Sequence, residues 1–360
     1  MVSRRDISRA LSFGNIGAIY VWLLIIVIFS YWLPDVFPAV ETIRAIGRNY
    51  ATAGLAALAI LLPMASGAFD ASVGGTMSLT SVVCAYLLIN TGLPVWVIVL
   101  MTLCVGAAVG LFNAFAVVSL RIPSLIATLA TWLIANSLSV AVSGNRTISS
   151  ERVSGDSFTQ IARLNWNRFP APIFYVIAIT IILGIVMSHT TGGRYLYAVG
   201  YNPQVARLAG VRVKRVQAVS LIAAGVLAAF AGIILTARLS SATPRSGDPY
   251  LLPAFAAAFL GATQFKAKRF NAAGTMIAVY MLGTGQYGLL LAGVPTWIPN
   301  IFQGTALIAA IGLTQLQDQS RPRIRKSRSP IDPSEAPGAV AAQGESTPTD
   351  PLDVETVPLK

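Results

Sequence analysis

The sequence predicts an all-α polytopic membrane protein of about ten transmembrane helices, with broken helices among them. Three observations lead there. Hydrophobic residues make up 55% of the 360 and charged residues 11%. The mean hydropathy is +0.67. The apolar residues gather into long runs divided by short polar segments, which excludes a soluble enzyme or soluble binding module.

In chain order the apolar runs lie near 16–33, 50–66, 75–90, 95–118, 123–142, 172–188, 217–237, 251–263, 274–292 and 298–315. Several fall short of the roughly 20 residues of a full helical span, which predicts tilted, interrupted or shielded helices. The first run follows Arg4, Arg5 and Arg9, is 18 residues long and has no small-residue cleavage site behind it. It is expected to stay as an anchor. With the N-terminus in the cytosol, 18 of the 26 basic residues fall on the cytosolic side and 8 outside. The positive-inside rule selects that orientation, with both termini cytosolic.

Residues 1–317 read as one membrane domain. From 318 the composition turns to Pro, Ser, Ala and acids after a basic start, RPRIRKSRSP, so 318–360 is expected to be a disordered cytosolic tail whose beginning lies near anionic lipid, with about Arg321 to Lys360 dispensable for transport. The net charge of +12 is dispersed over loops, which argues against a nucleic-acid partner. Cys84 and Cys104 lie inside apolar runs and imply neither a disulfide nor a metal site. His189, the one histidine, ends the sixth run as a helix C-terminal residue. No catalytic or metal residues are assigned. The external connection 143–170 is either a solvated loop or a surface for a soluble partner. GGTM at 74–77 and AGTM at 273–276 are too short to establish a repeat.

Between the sixth and seventh runs, GGRYLYAVGYNPQVARLAGVRVKRV contains a short, separately capped helix. Asn202 suits the N-cap, Pro203 the first helical position, and Gly210 a left-handed stop, so residues 203–209 are expected to be helical. Val205, Leu208 and Ala209 share one face. A helix that short needs something to pack against. The segment is therefore a docking surface or a basic loop that sets orientation.

Asp70, in SGAFDASVGG, is the one acid between Glu41 and Glu151. At the bilayer centre its charge would cost about 2.5–3.5 kcal/mol on insertion scales, so it must face protein, water or a helix end. It either N-caps a helix beginning near Ala71, with support from Ser72, or lies on a broken helix lining a solute path. Asn113, Thr128, Asn136, Gln286 and Tyr287 are further candidates for that path, since amides and a ring suit a polyol, or they tie helices together. No G-x-x-x-x-G-K-[ST] occurs, so any ATP hydrolysis belongs to another subunit.

From about 43 to 315 the chain resembles the ribose-type sugar permeases, the membrane subunits of bacterial ABC importers. SGAFDASVGG is similar to the family's G-G-I-D-L-S-V-G, GLFNAFAV to G-x-x-N-G-x-x-V, and IPSLIATLAT to I-P-x-F-I-A-T-L-G-T. GRYLYAVGYNPQVARLAGV follows G-R-x-x-Y-A-I-G-x-N-x-x-A-A-R-L-S-G-I closely. The resemblance implies ten helices in a bacterial inner membrane. It also implies a coupling helix from Asn202 through Pro203, Val205, Ala206, Arg207 and Leu208 to Gly210, resting on an ATPase subunit that holds ATP and Mg. It further implies a second permease subunit and an extracytoplasmic sugar-binding protein, with no cofactor in this chain. Two departures stand out: GATQFKAKRFNAAGT at 261–275 replaces a glycine-rich turn, and Gln286-Tyr287-Gly288 replaces N-N-G. The expected function is import of a monosaccharide or related polyol. Import of nucleosides or branched-chain amino acids, ion-coupled secondary transport and a non-transporting scaffold are the alternatives.

Overall fold

A computed structural model describes residues 13–319 apart from 164, 167–168 and 266–268. The expected tail beyond 319 lies outside the described residues. Ahead of it, the last helix continues through the 317/318 boundary to Gln319.

The described residues are mostly helical. The elements are α1 (Phe13–Trp32), α2 (Val40–Ala65), α3 (Val73–Asn90), α4 (Val95–Ala114, continued by a π-helical turn Phe115–Ser119), α5 (Ser124–Ser143), α6 (Glu151–Ser154), α7 (Asp156–Arg163), a small hairpin of β1 (Asn165–Trp166) and β2 (Phe169–Pro170), α8 (Ala171–His189), α9 (Thr191–Tyr201), α10 (Pro203–Leu208), α11 (Val213–Leu239), α12 (Asp248–Ala262), α13 (Ala272–Leu291) and α14 (Trp297–Gln319). Among the described residues, α2, α3, α4 with its π turn, α5, α8 and α11 are long and apolar enough to cross a membrane.

Composition decides which helices are central. α2 reads ATAGLAALAILLPMA over its second half, and nearly every residue there is buried. Small side chains on all sides let neighbours approach from every direction. α11 packs against α4, α2 and α3 in the same way. The helices α4, α5 and α8 instead carry exposed Leu, Ile, Phe and Trp, including Trp96, Leu133 and Ile181. In water such a surface would aggregate, whereas against lipid it is the ordinary outer face.

α2 begins at Val40, ten residues before the apolar run suggested, because its first turns carry Glu41, Arg44 and Arg48. A helix projecting beyond the hydrocarbon keeps its backbone bonded while its side chains meet water.

Side-chain and backbone contacts sort the connections into two ends. At one end, which carries the hairpin, Arg152 donates to the carbonyls of Thr91 and Leu93. There too Ile148 pairs with Ala242, and Arg163 donates to Ser240 Oγ at 2.7 Å. At the other end, which carries α10, Phe69 N donates to Ser124 Oγ at 3.0 Å, and the Tyr197 hydroxyl donates to the Phe270 carbonyl at 2.6 Å. The 143–170 connection is neither free nor merely solvated. Val153, Phe158 and Ala162 bury against Val82, Ile98 and Ile233, so it caps the ends of α3, α4 and α11.

Candidate functional site

The α10 end holds two adjoining assemblies. The first is the interruption between α2 and α3. Pro63 occupies the last turn of α2, and Gly67 adopts a left-handed φ of +79°. The chain then runs to Val73 before helix resumes.

Asp70 is 1% exposed. Its Oδ1 accepts from the Ser72 backbone N–H at 2.9 Å and the Ser72 hydroxyl at 2.6 Å. Ser72 Oγ accepts from Asn113 Nδ2 at 2.7 Å. Thr128 Oγ1 accepts from Ala71 N at 3.0 Å. The cluster thus joins the interruption to α4, just before its π turn, and to the first turns of α5. Because α3 starts at Val73 rather than Ala71, Ser72 takes the N-cap position, without a side-chain cap bond. Asp70 closes the turn before it. Asp70 Oδ2 and Asn113 Oδ1 have no donor among the described residues.

Four expected path residues, Asp70, Ser72, Asn113 and Thr128, therefore meet in one buried cluster. Asn136 lies apart. Its Nδ2 and the Trp132 indole both donate to Asp248 Oδ1 at 2.8 Å, fastening the start of α12 to α5. Asp248 was not singled out from sequence, although an acid immediately before an apolar run was a usable signal. Gln286 faces a cavity near the hairpin end, and Tyr287 is not on its wall.

The second assembly is α9 and α10. Thr190 Oγ1 caps α9 by accepting from Gly193 N at 3.1 Å. Asn202 Oδ1 accepts from Gln204 N at 3.0 Å and Val205 N at 3.1 Å, which caps α10 with Pro203 in its first turn. The helix stops at Leu208, with Ala209 in the cap position and Gly210 at φ +83°. Ala206 is the inward residue, packed with Val199 and Val213. Val205 is 59% exposed, Leu208 89% and Tyr201 90%. Tyr201 lies just before the cap and belongs to the same outward surface, a residue the sequence reading passed over.

The two assemblies touch backbone to backbone. A Cβ on Gly67 would stand 3.3 Å from Gly200 Cα, and one on Gly200 would overlap the Ala65 carbonyl. The turn before α13 closes this end. Asn271 Oδ1 caps α13 through Gly274 N at 2.6 Å, and its Nδ2 donates to the carbonyls of Gly261, Gln264 and Arg269. The Arg269 guanidinium sits 4.8 Å from the Tyr197 ring centre. Burial pushes the Tyr197 phenol above its ordinary pKa, and Arg269 offsets part of that.

Two cavities flank these elements. One, of about 760 Å³, lies at the α10 end and is lined by Arg194, Tyr197, Tyr201, Arg269 and Asn271 among others. The other, of about 920 Å³, opens toward the hairpin end. None of Asp70, Ser72, Asn113, Thr128 and Asn136 lines either. Among the described residues no group of three or more His, Cys, Asp or Glu is placed to hold a metal ion.

A bundle of apolar helices with a buried polar interruption at one end, and a capped helix projecting from that same end, defines a multi-pass membrane transport protein. Residues 43–311 match the family described as branched-chain amino acid transport system / permease component, and the chain belongs to that family. The L-arabinose transport system permease protein AraH of Escherichia coli is 31% identical over 304 residues, 83% of this chain and 91% of the relative. The ribose import permease protein RbsC of Bacillus subtilis is 30% identical over 288 residues, 80% and 88%. The autoinducer 2 import system permease protein LsrD of Klebsiella pneumoniae is 30% identical over 261 residues, 72% and 78%. A solved structure of a metal-chelate type ABC transporter, inward-facing, covers 85% of this chain and 98% of its own at 13% identity and a TM-score of 0.43, too weak a likeness to carry an argument.

Proposed function

We propose that this permease component imports a monosaccharide or related polyol, driven by ATP hydrolysis in a separate ATPase subunit that holds the ATP and Mg. The observation that carries this reading is the extent of the similarity to permeases named for arabinose and ribose, which spans 80% or more of the chain. An extracytoplasmic binding protein delivers the substrate. A second permease subunit, of the same or another sequence, completes the path. The described connections alternate between the two ends, which supports ten crossings: α1 to α5, α8 and α11 to α14. The α10 end then faces the cytosol, together with both termini.

α10 is the contact for the ATPase. Its isolated cap and its exposed Val205 and Leu208 support this. A movement imposed there reaches the 66–72 interruption through the backbone contact of Gly200 with Gly67 and Ala65. Asp70, Ser72, Asn113 and Thr128 hold the interruption to α4 and α5, so a displacement of that segment shifts three helices together. In this reading the cluster forms part of the translocation path when the subunit changes state.

The family's own description favours one competing substrate class, branched-chain amino acids. Proteoliposomes containing this chain, its ATPase and its binding protein should accumulate radiolabelled pentose in an ATP-dependent manner. Accumulation of leucine but not of any sugar would overturn the sugar reading. Uptake driven by an ion gradient without ATP would overturn the ATP-driven one.

A further inference from the structure

The cavity of about 920 Å³ at the hairpin end carries a charge arrangement that an uncharged sugar does not call for. Three arginines from distant parts of the chain converge on it: Arg48 from α2, Arg163 from the end of α7 and Arg238 from the last turn of α11. No Asp or Glu is among its lining residues. Among the described residues the only ion pair is Arg44 with Glu41, so none of the three has a carboxylate counter-ion.

Each guanidinium keeps donors to spare. Arg238 donates to the Asn49 carbonyl at 2.9 Å and the Tyr250 hydroxyl at 2.7 Å, while its Nε is buried without a partner. Arg163 has one described bond, to Ser240 Oγ. Arg48 has none among the described residues and is exposed. Tyr50, Tyr250 and Gln286 add neutral polar groups to the wall. Among the apolar wall residues, Leu239 is 50% exposed and Leu290 49% exposed, beside the exposed Arg48 and Arg163 and the half-buried Arg238.

Three positive charges around a half-enclosed space repel one another, and an anion seated among them relieves that repulsion. Guanidinium groups match the oxygens of a phosphate in paired, planar hydrogen bonds, which an uncharged sugar cannot supply. We propose that this cavity is a binding site for a phosphate-bearing anion, held by Arg48, Arg163 and Arg238. The phosphate belongs to a lipid headgroup of the surrounding leaflet or to a soluble phosphorylated compound. The site is separate from the Asp70 cluster and does not depend on which sugar is carried.

The test uses the full chain purified in detergent and exchanged into vesicles or nanodiscs. One arm compares thermal stability in phosphatidylglycerol with that in phosphatidylcholine. The other adds glycerol 1-phosphate or inorganic phosphate in phosphatidylcholine alone. The variant is Arg48→Gln with Arg163→Gln, chosen because both side chains are exposed and make few contacts; Arg238→Gln is secondary, since it also loosens α11 from α2 and α12. Arg146→Gln, an arginine at the same end but off the cavity wall, controls for general charge. The expected result is stabilisation of the wild type and of Arg146→Gln by phosphatidylglycerol or by the soluble phosphate, with binding weakened about tenfold or more in the double variant. Stabilisation by phosphatidylglycerol with no response to inorganic phosphate assigns the headgroup, and stabilisation by inorganic phosphate with no response to phosphatidylglycerol assigns the soluble ligand, while glycerol 1-phosphate reports the phosphate chemistry they share. Equal responses of the double variant and the Arg146→Gln control, or no response to either ligand, would overturn the proposal.

Discussion

The Asp70 cluster and the α10 surface lie at the same end of the bundle, yet they treat their side chains in opposite ways. Around Asp70, polar groups are turned inward and bond to one another and to backbone N–H groups, with Asp70 Oδ2 and Asn113 Oδ1 left without a donor among the described residues. On α10 and at the end of α9, large side chains are turned outward, with Leu208 and Tyr201 almost fully exposed. A buried polar group without a partner is costly, so the first arrangement is complete only when several helices supply the partners. An exposed Leu and Tyr at the aqueous end of a membrane protein gain nothing from water or from lipid tails. In the proposed assembly the second arrangement is covered by the ATPase subunit. The inward site therefore speaks for the integrity of this chain, and the outward one for its assembly.

The comparison is sharpened by breaking each side in turn. Leu208→Asp places a carboxylate in the apolar contact and should weaken association with the ATPase subunit by about 3 kcal/mol, roughly a hundredfold in Kd, while insertion into the membrane is unchanged. Co-purification with the ATPase and membrane levels measure the two parts. Undiminished co-purification would remove α10 from the interface.

Asp70→Ala should do the reverse. It removes the acceptor of both Ser72 donors and should cost about 2 kcal/mol of stability, leaving ATPase association intact and uptake reduced. Asp70→Asn keeps an acceptor oxygen and should lose well under half as much. Thermal unfolding in detergent, read beside ATP-driven uptake, separates the variants. Equal inactivity of the two, with both well folded, would mean that the charge itself is required and would revive ion coupling.

Asn202→Ala tests the link between local order and assembly. Loss of its two cap bonds should cost about 1 kcal/mol in α10 and weaken ATPase binding by roughly fivefold, with no effect on the Asp70 cluster. Thr128→Val comes last, with an effect on stability alone. It deprives Ala71 N of its acceptor within the cluster and should lower stability by about 1 kcal/mol with the ATPase contact untouched. If it weakened ATPase binding more than Asn202→Ala, the separation of the two sites would fail.

Much of the outward site was legible in the sequence because it is local. An Asn, a Pro and a Gly within nine residues specify a cap, a first turn and a stop, and the structure departs only in ending the helix one residue earlier, at Leu208. The inward site was legible only as a roster of polar residues. Asp70, Asn113 and Thr128 stand far apart along the chain, and no periodicity ties them together. Asn136 and Gln286 looked equivalent to them, but one is committed to Asp248 and the other to a cavity near the opposite end. Tyr201, lying before the cap, carried no helix signal and was overlooked.

By itself the sequence determined that this is a membrane-embedded helical bundle and which short segment is capped as a separate unit. Those properties follow from hydropathy over about 20 residues and from backbone preferences over fewer than ten, both of which are local. Only the tertiary structure decided which polar residues meet, that α9 touches the interruption through two glycines, and that three arginines from separate segments surround one cavity. Such pairings depend on how helices cross, and crossing is settled by side-chain packing between segments distant in the chain rather than by any single stretch of it.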